Sequence, residues 1–253
     1  MLFRSGQYAP LVNDGAVRTI DITLPAGANK TIDLYESGYQ LTSGNTAIVA
    51  VRQVENQLTL TRNTRPAKRL VITGDSITQG IGATNYTSQG WPMLVRGDYP
   101  GGVTVYGGGS LGLFDVGGTA GARLTLARLL VQMASDSTGT RTLWIEWGTN
   151  DYGGAGAGMW SAANFQTAYQ DLLTQLKTLD SGLLIYAQSP TVRTSEVANT
   201  FGNTLGDYRT AISNAVTAVG GGITYVNGST IITTLDLADT GHPRWEEHTS
   251  ELQ

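Results

Sequence analysis

The chain has 253 residues, 40% of them hydrophobic and 14% charged, with a formal net charge of −4 and only three lysines, Lys30, Lys68 and Lys177. That length allows one large domain, or a medium domain with a small companion, and the lack of any basic run argues against a nucleic-acid or anionic-membrane partner. No apolar stretch reaches the length of a membrane span, and with no cysteine there can be no disulfide or thiolate metal site.

Residues 2–5 (LFRS) and 246–253 (EEHTSELQ) resemble the in-frame translation of paired sequencing adapters. Residues 1–5 and 246–253 are therefore expected to be non-native ends around a segment recovered from environmental DNA. Within it, residues 17–61 alternate as half-buried strands do: Ile20, Ile22 and Leu24 share a face, Ile32 and Leu34 follow, and Leu58 and Leu60 close the series. Four or five short antiparallel strands fit, giving a small β-rich module over 6–66. Thr64-Arg65-Pro66 reads as a linker, because the residue before proline is pushed out of the helical region.

From Arg69 the period changes, and a main domain is expected over 67–245. Strands are predicted at 69–73, 103–106, 141–147, 183–188 and 223–226, and helices around 90–97, 120–134, 161–178 and 205–219. In the 161–178 stretch, Phe165, Tyr169, Leu172, Leu173, Leu176 and Leu179 fall at helical spacing behind Ser161 as N-cap. Strands alternating with helices predict an α/β domain, a five-stranded parallel sheet covered on both faces.

Sites in open α/β sheets form beyond the carboxyl ends of the strands. The first strand is followed by Gly74-Asp75-Ser76-Ile77, and the second by Gly107-Gly108-Gly109-Ser110-Leu111-Gly112. Gly148-Thr149-Asn150-Asp151 follows the third, and Asp239-Thr240-Gly241-His242-Pro243 comes after the fifth. His248 lies in the adapter-like tail, which leaves His242 as the only native histidine. A solitary histidine is more often structural than catalytic. Here Asp239 precedes it by three residues, a spacing that lets a carboxylate meet one imidazole nitrogen and leaves the other free as a base for a serine hydroxyl.

These three pieces, GDSI at 74–77, GTND at 148–151 and DTGHP at 239–243, resemble the SGNH (GDSL-type) hydrolases in kind, order and separation, across residues 69–243. The resemblance implies a flavodoxin-like three-layer sandwich and serine-dependent ester hydrolysis without a cofactor. It implies Ser76 as nucleophile, His242 as general base and Asp239 as the residue orienting it. The oxyanion hole would be formed by the Ser76 amide, the Gly109 amide (Gly108 as fallback) and the Asn150 side chain. The family often carries Asn-x-Gly-x-x-Gly in the second block, and Gly107 replaces that asparagine here. Asp75 is expected to cap the helix or brace the turn, and Asp151 to bond backbone near its loop.

Other readings carry less. Gly107-x-Gly109-x-x-Gly112 matches a dinucleotide fingerprint literally, but no helix opens directly after it and no acidic residue follows at ribose distance. A non-catalytic glycan-binding module would not need Ser76, Asn150, Asp239 and His242 together. One native histidine and no cysteine supply too few ligands for a transition-metal site. Phe114, Tyr152, Met159 and Trp160 are candidates for the substrate entry, weighed evenly against plain packing. The expected substrate is a short-chain, acetyl-type ester, small or borne on a polysaccharide, with a short-chain lipid ester or thioester as the alternative. A secreted or periplasmic location is slightly favoured over a cytosolic one. Loss of the family's last helix to the adapter-like tail would expose apolar surface and favour self-association through the altered C-terminus.

Overall fold

The computed structural model describes residues 68–83, 90–99, 102–113, 140–154 and 160–244. The chain divides into two units, Met1–Leu60 and Thr61–Gln253, and all described residues belong to the second. The β-module expected over 6–66, the helix expected at 120–134, Phe114, Met159 and both adapter-like ends lie outside the described residues.

Five parallel strands form one sheet: β1 (Lys68–Gly74), β2 (Val103–Gly107), β3 (Thr140–Glu146), β4 (Leu184–Gln188) and β5 (Ile223–Val226), in the order β2-β1-β3-β4-β5. This is the doubly wound flavodoxin-like order. The interior strand β1 carries an unbroken apolar run, Leu70, Val71 and Ile72, all buried, as expected of a strand covered on both faces.

Register assigns the two faces. Val71 pairs with Leu143, Leu143 with Ile185, and Ile185 with Ile223, so these four point to one side. There they meet the helices α4 (Ala162–Leu179) and α5 (Leu205–Val219) through Phe165, Tyr169, Leu172, Leu173, Tyr208 and Ile212, in one continuous core. The α4 stripe arises from the helical spacing of its apolar residues. Ser161 caps it by accepting from the Asn164 amide at 3.3 Å, while Leu179, in the last turn, is exposed. At the start of α5 the Asp207 carboxylate accepts from the Thr204 amide at 2.7 Å and hydroxyl at 2.9 Å, fixing the first turn.

The opposite face carries Ile72, Trp144 and Tyr186 in register. Trp144 stacks on Tyr186 at 5.2 Å between ring centroids and meets Trp91, at the start of α2 (Trp91–Leu94), at 5.5 Å. The short helix α1 (Ser76–Gln79) also lies on this side, its Ile77 packed with Ala83 and Trp91. The five strands, α4 and α5 fall within one residue of the predicted ends, whereas α2 stops at Leu94 and passes into a 3₁₀ turn over Val95–Asp98, and the short helices Ser76–Gln79 and Thr149–Gly153 were not predicted.

Candidate active site

In the order β2-β1-β3 the chain winds outward in both directions from β1, leaving a crevice at the carboxyl end of β1 beside β3. Gly74, the last residue of β1, pairs with Gly107 of β2 and Glu146 of β3. The three segments that follow these residues therefore emerge side by side, and they are the segments bearing Ser76, Gly109 and Asn150.

Ser76 is the first residue of α1. Asp75 caps that helix, its buried carboxylate accepting from the Ile77 amide at 2.9 Å. The Ser76 amide, one position earlier, has no carbonyl a turn back to bond. The Ser76 Oγ lies 2.8 Å from His242 Nε2, and His242 Nδ1 lies 2.7 Å from Asp239 Oδ2. With the ring proton on Nδ1 donating to the carboxylate, Nε2 is left to accept the serine hydroxyl. Asp239 also builds the loop: its Oδ1 accepts from the amides of Gly241 and His242, both at 2.8 Å. A bridge between Leu237 and Pro243 closes that loop, supported by the Ala238 amide donating to the His242 carbonyl at 2.7 Å.

Desolvation alone would raise the Asp239 carboxyl, but donation from the Gly241 amide and from the His242 imidazole and amide outweighs it and holds the group below the usual carboxylate range. The side chain of Asp239 is 52% exposed, against 28% for His242. The histidine loop is pressed against the segment after α1 at Gly82, where φ is +102° and a Cβ would collide with the Pro243 carbonyl oxygen. Only glycine permits both that backbone and that approach.

Asn150 is buried in α3 (Thr149–Gly153), and its Nδ2 donates to the Leu111 carbonyl at 2.8 Å, tying it to the loop after β2. An amide nitrogen carries two hydrogens, so one remains for a ligand. In the β2 loop the Gly108 amide donates to the Gly74 carbonyl at 3.3 Å, whereas the Gly109 amide has no partner among the described residues. Gly107 leaves no room for the asparagine common in the family, since a Cβ there would run into the Gln79 backbone nitrogen of α1. Asp151, fully buried, accepts from the Leu113 amide at 3.2 Å and fastens the far end of the same loop.

Composition and spacing did not point to the carboxyl group lying under this arrangement. Glu146 is buried at the end of β3, accepting from the Thr78 hydroxyl at 2.6 Å and from Gln188 Nε2 at 2.7 Å, while Trp144 Nε1 donates to Gln188 Oε1 at 3.0 Å. Burial pushes Glu146 up to about 8, with the charge of Asp75 adding to the rise, and burial likewise pushes Asp75 up to about 7. The signal available in the sequence was a carboxylate inside the otherwise apolar run Leu143-Trp144-Ile145-Glu146-Trp147.

Of the substrate-entry candidates, Tyr152 is buried, donates its hydroxyl to the Val197 carbonyl at 2.6 Å and sets its ring at 73° to Tyr208. Trp160 is half-buried, and its carbonyl accepts the Tyr208 hydroxyl. Trp144, in β3, is half-buried, and Trp147, directly after the strand, is core.

A family model described as GDSL-like Lipase/Acylhydrolase matches residues 72–250. Comparison with curated proteins gives no match. Among solved structures, the salicylyl-acyltransferase SsfX3 from a tetracycline biosynthetic pathway is similar at TM-score 0.52 and 19% identity, covering 76% of this chain and 53% of its own. A carbohydrate esterase family 2 enzyme with a carbohydrate-binding domain, from Corynascus thermopiles (Myceliophthora fergusii), gives 0.51 and 21%, covering 76% and 65%. The native aryl esterase of M. smegmatis gives 0.53 and 15%, covering 74% and 98%. The chain thus spans about half the length of the first of these, and at such identities the likeness concerns the fold.

Proposed function

The chain belongs to the GDSL-like lipase/acylhydrolase family, and on that premise we propose that it is a serine esterase working through an acyl-enzyme on short acyl, acetyl-type esters, including those on carbohydrate. The observation that carries this reading is the continuous hydrogen-bonded path Ser76–His242–Asp239 at the carboxyl end of β1. Ser76 Oγ attacks the ester carbonyl as His242 Nε2 takes its proton. Asp239 holds the imidazole in the tautomer that can do so and stabilises the imidazolium. The developing oxyanion is met by the amides of Ser76 and Gly109 and by the second hydrogen of Asn150 Nδ2, donors already fixed in place and carrying no net charge. His242 then protonates the departing alcohol, and water, deprotonated by the same nitrogen, releases the acid.

The acetyl and carbohydrate preference draws support from the fold shared with the carbohydrate esterase. The test compares wild type and Ser76→Ala on p-nitrophenyl acetate, butyrate and octanoate, then on acetylated xylan. Ser76-dependent turnover falling steeply with chain length is expected. Equal turnover by Ser76→Ala would overturn the mechanism, and a preference for octanoate would overturn the acyl assignment.

A further inference from the structure

Arg193 lies in the segment after β4, and its guanidinium is held between the two halves of the site. A Cβ at Gly153, the end of the Asn150 helix, would lie 3.0 Å from its Nη1, and one at Gly241, beside His242, would lie 3.4 Å from its Nε. The backbone around it is tied to the histidine loop, the Thr194 amide donating to the Thr240 carbonyl at 3.1 Å. The guanidinium carbon lies 5.9 Å from the centroid of the Tyr152 ring, which is itself fixed by its bond to Val197 and its packing on Tyr208.

The head group nevertheless donates no hydrogen bond and forms no ion pair among the described residues. Its nearest acid in sequence, Glu196, accepts from the Arg193 amide at 3.1 Å but gives both oxygens to Arg209, at 2.6 and 2.8 Å. Arg141, by contrast, is spent on Asp180. A half-buried guanidinium with five donors and no acceptor among the described residues has its fork open to a ligand that reaches the site. Its charge reaches the catalytic turn, where it partly offsets the rise of Asp75.

Resting on the esterase reading, we propose that Arg193 binds a carboxylate carried by the substrate next to the scissile ester, so that the preferred esters are monoanionic. A planar carboxylate matches the guanidinium fork through two parallel bonds. One arginine balances one charge, which favours a carboxylate over a doubly charged phosphate ester.

The test uses two matched pairs of esters: 4-acetoxybenzoate against its methyl ester for an acid on the alcohol side, and p-nitrophenyl hemisuccinate against p-nitrophenyl butyrate for one on the acyl side. The ratio of kcat/KM, charged over neutral, is expected to fall roughly ten- to hundredfold in Arg193→Gln for one pair, with partial recovery in Arg193→Lys. The wild-type preference should also weaken as salt is raised. Ratios equal in wild type and Arg193→Gln for both pairs would overturn the proposal. Calorimetric titration with benzoate and succinate keeps the two readings separable. If no ester is turned over yet wild type binds an acid that Arg193→Gln does not, the esterase reading falls and the anion site stands. If turnover is found with no charge preference and no acid bound, the anion site falls alone.

Discussion

Asn150 and Asp239 occupy opposite positions with respect to solvent, and that difference sets how much each should matter. Asn150 is buried and anchored to the Leu111 carbonyl, so water cannot replace its free hydrogen at an oxyanion. Asn150→Ala should lower kcat by roughly 10²- to 10³-fold with KM nearly constant, measured on p-nitrophenyl acetate. A loss confined to KM would remove Asn150 from the oxyanion hole. Asp239 is half-exposed, where solvent screens its interaction with the imidazole. Asp239→Asn keeps an oxygen for the Gly241 and His242 amides but offers Nδ1 no acceptor. The loss in kcat is expected to be smaller than the roughly 10⁴-fold of a buried triad aspartate, with the melting temperature nearly unchanged. A loss as deep as that of Ser76→Ala would show that solvent does not relieve the position.

At the scale of elements, close backbone approaches hold the separate loops in one constellation. Gly107 lets the end of β2 lie against the backbone of α1, and Gly82 lets the segment after α1 lie against the histidine loop. Gly107→Asn, which restores the residue common in the family, should therefore destabilise this chain by about 1–3 kcal/mol in a denaturant titration. Unchanged stability would mean that α1 can step aside. Gly82→Ala adds one methyl group where φ is +102° and should displace His242 from Ser76. Esterase kcat should then fall without any change in the three reacting groups themselves, and retained wild-type kcat would show the loop to be positioned by other contacts.

For the whole molecule, the buried carboxyls beneath the site predict how stability follows pH. Glu146, ordinarily near 4.5, is raised to about 8, and Asp75, ordinarily near 3.8, to about 7, chiefly by burial. Between those values the unfolded chain has released protons that the folded protein retains. The folded state thus binds more protons, and stability must fall as pH rises. It is fullest below the unfolded values and is lost as pH climbs through the folded ones, so the melting temperature should decline between about pH 5 and pH 8. Glu146→Gln should flatten that decline even where it lowers the melting temperature overall, because its amide has one acceptor oxygen where the carboxyl group offers two, to Thr78 and to Gln188. An equal slope in wild type and variant would place the titrating group elsewhere.

The α/β architecture was legible in the sequence because its signals are local. An unbroken apolar run marks a doubly covered strand, helical spacing from Phe165 to Leu176 marks a packed face, and GDSI, GTND and DTGHP each fold in one turn. The identity of Ser76, Asn150, Asp239 and His242 as candidates was legible for the same reason. That Ser76 and His242, 166 residues apart, meet at 2.8 Å depends on the order β2-β1-β3 and on the approach at Gly82, neither of which has a local signature. That the Gly108 amide is taken while the Gly109 amide has no partner among the described residues follows from one bond to Gly74. The environments of Glu146 and Arg193 were likewise decided only in three dimensions. Whether a charged group is paired, stranded or kept neutral depends on neighbours brought from distant parts of the chain, and on how completely they exclude water.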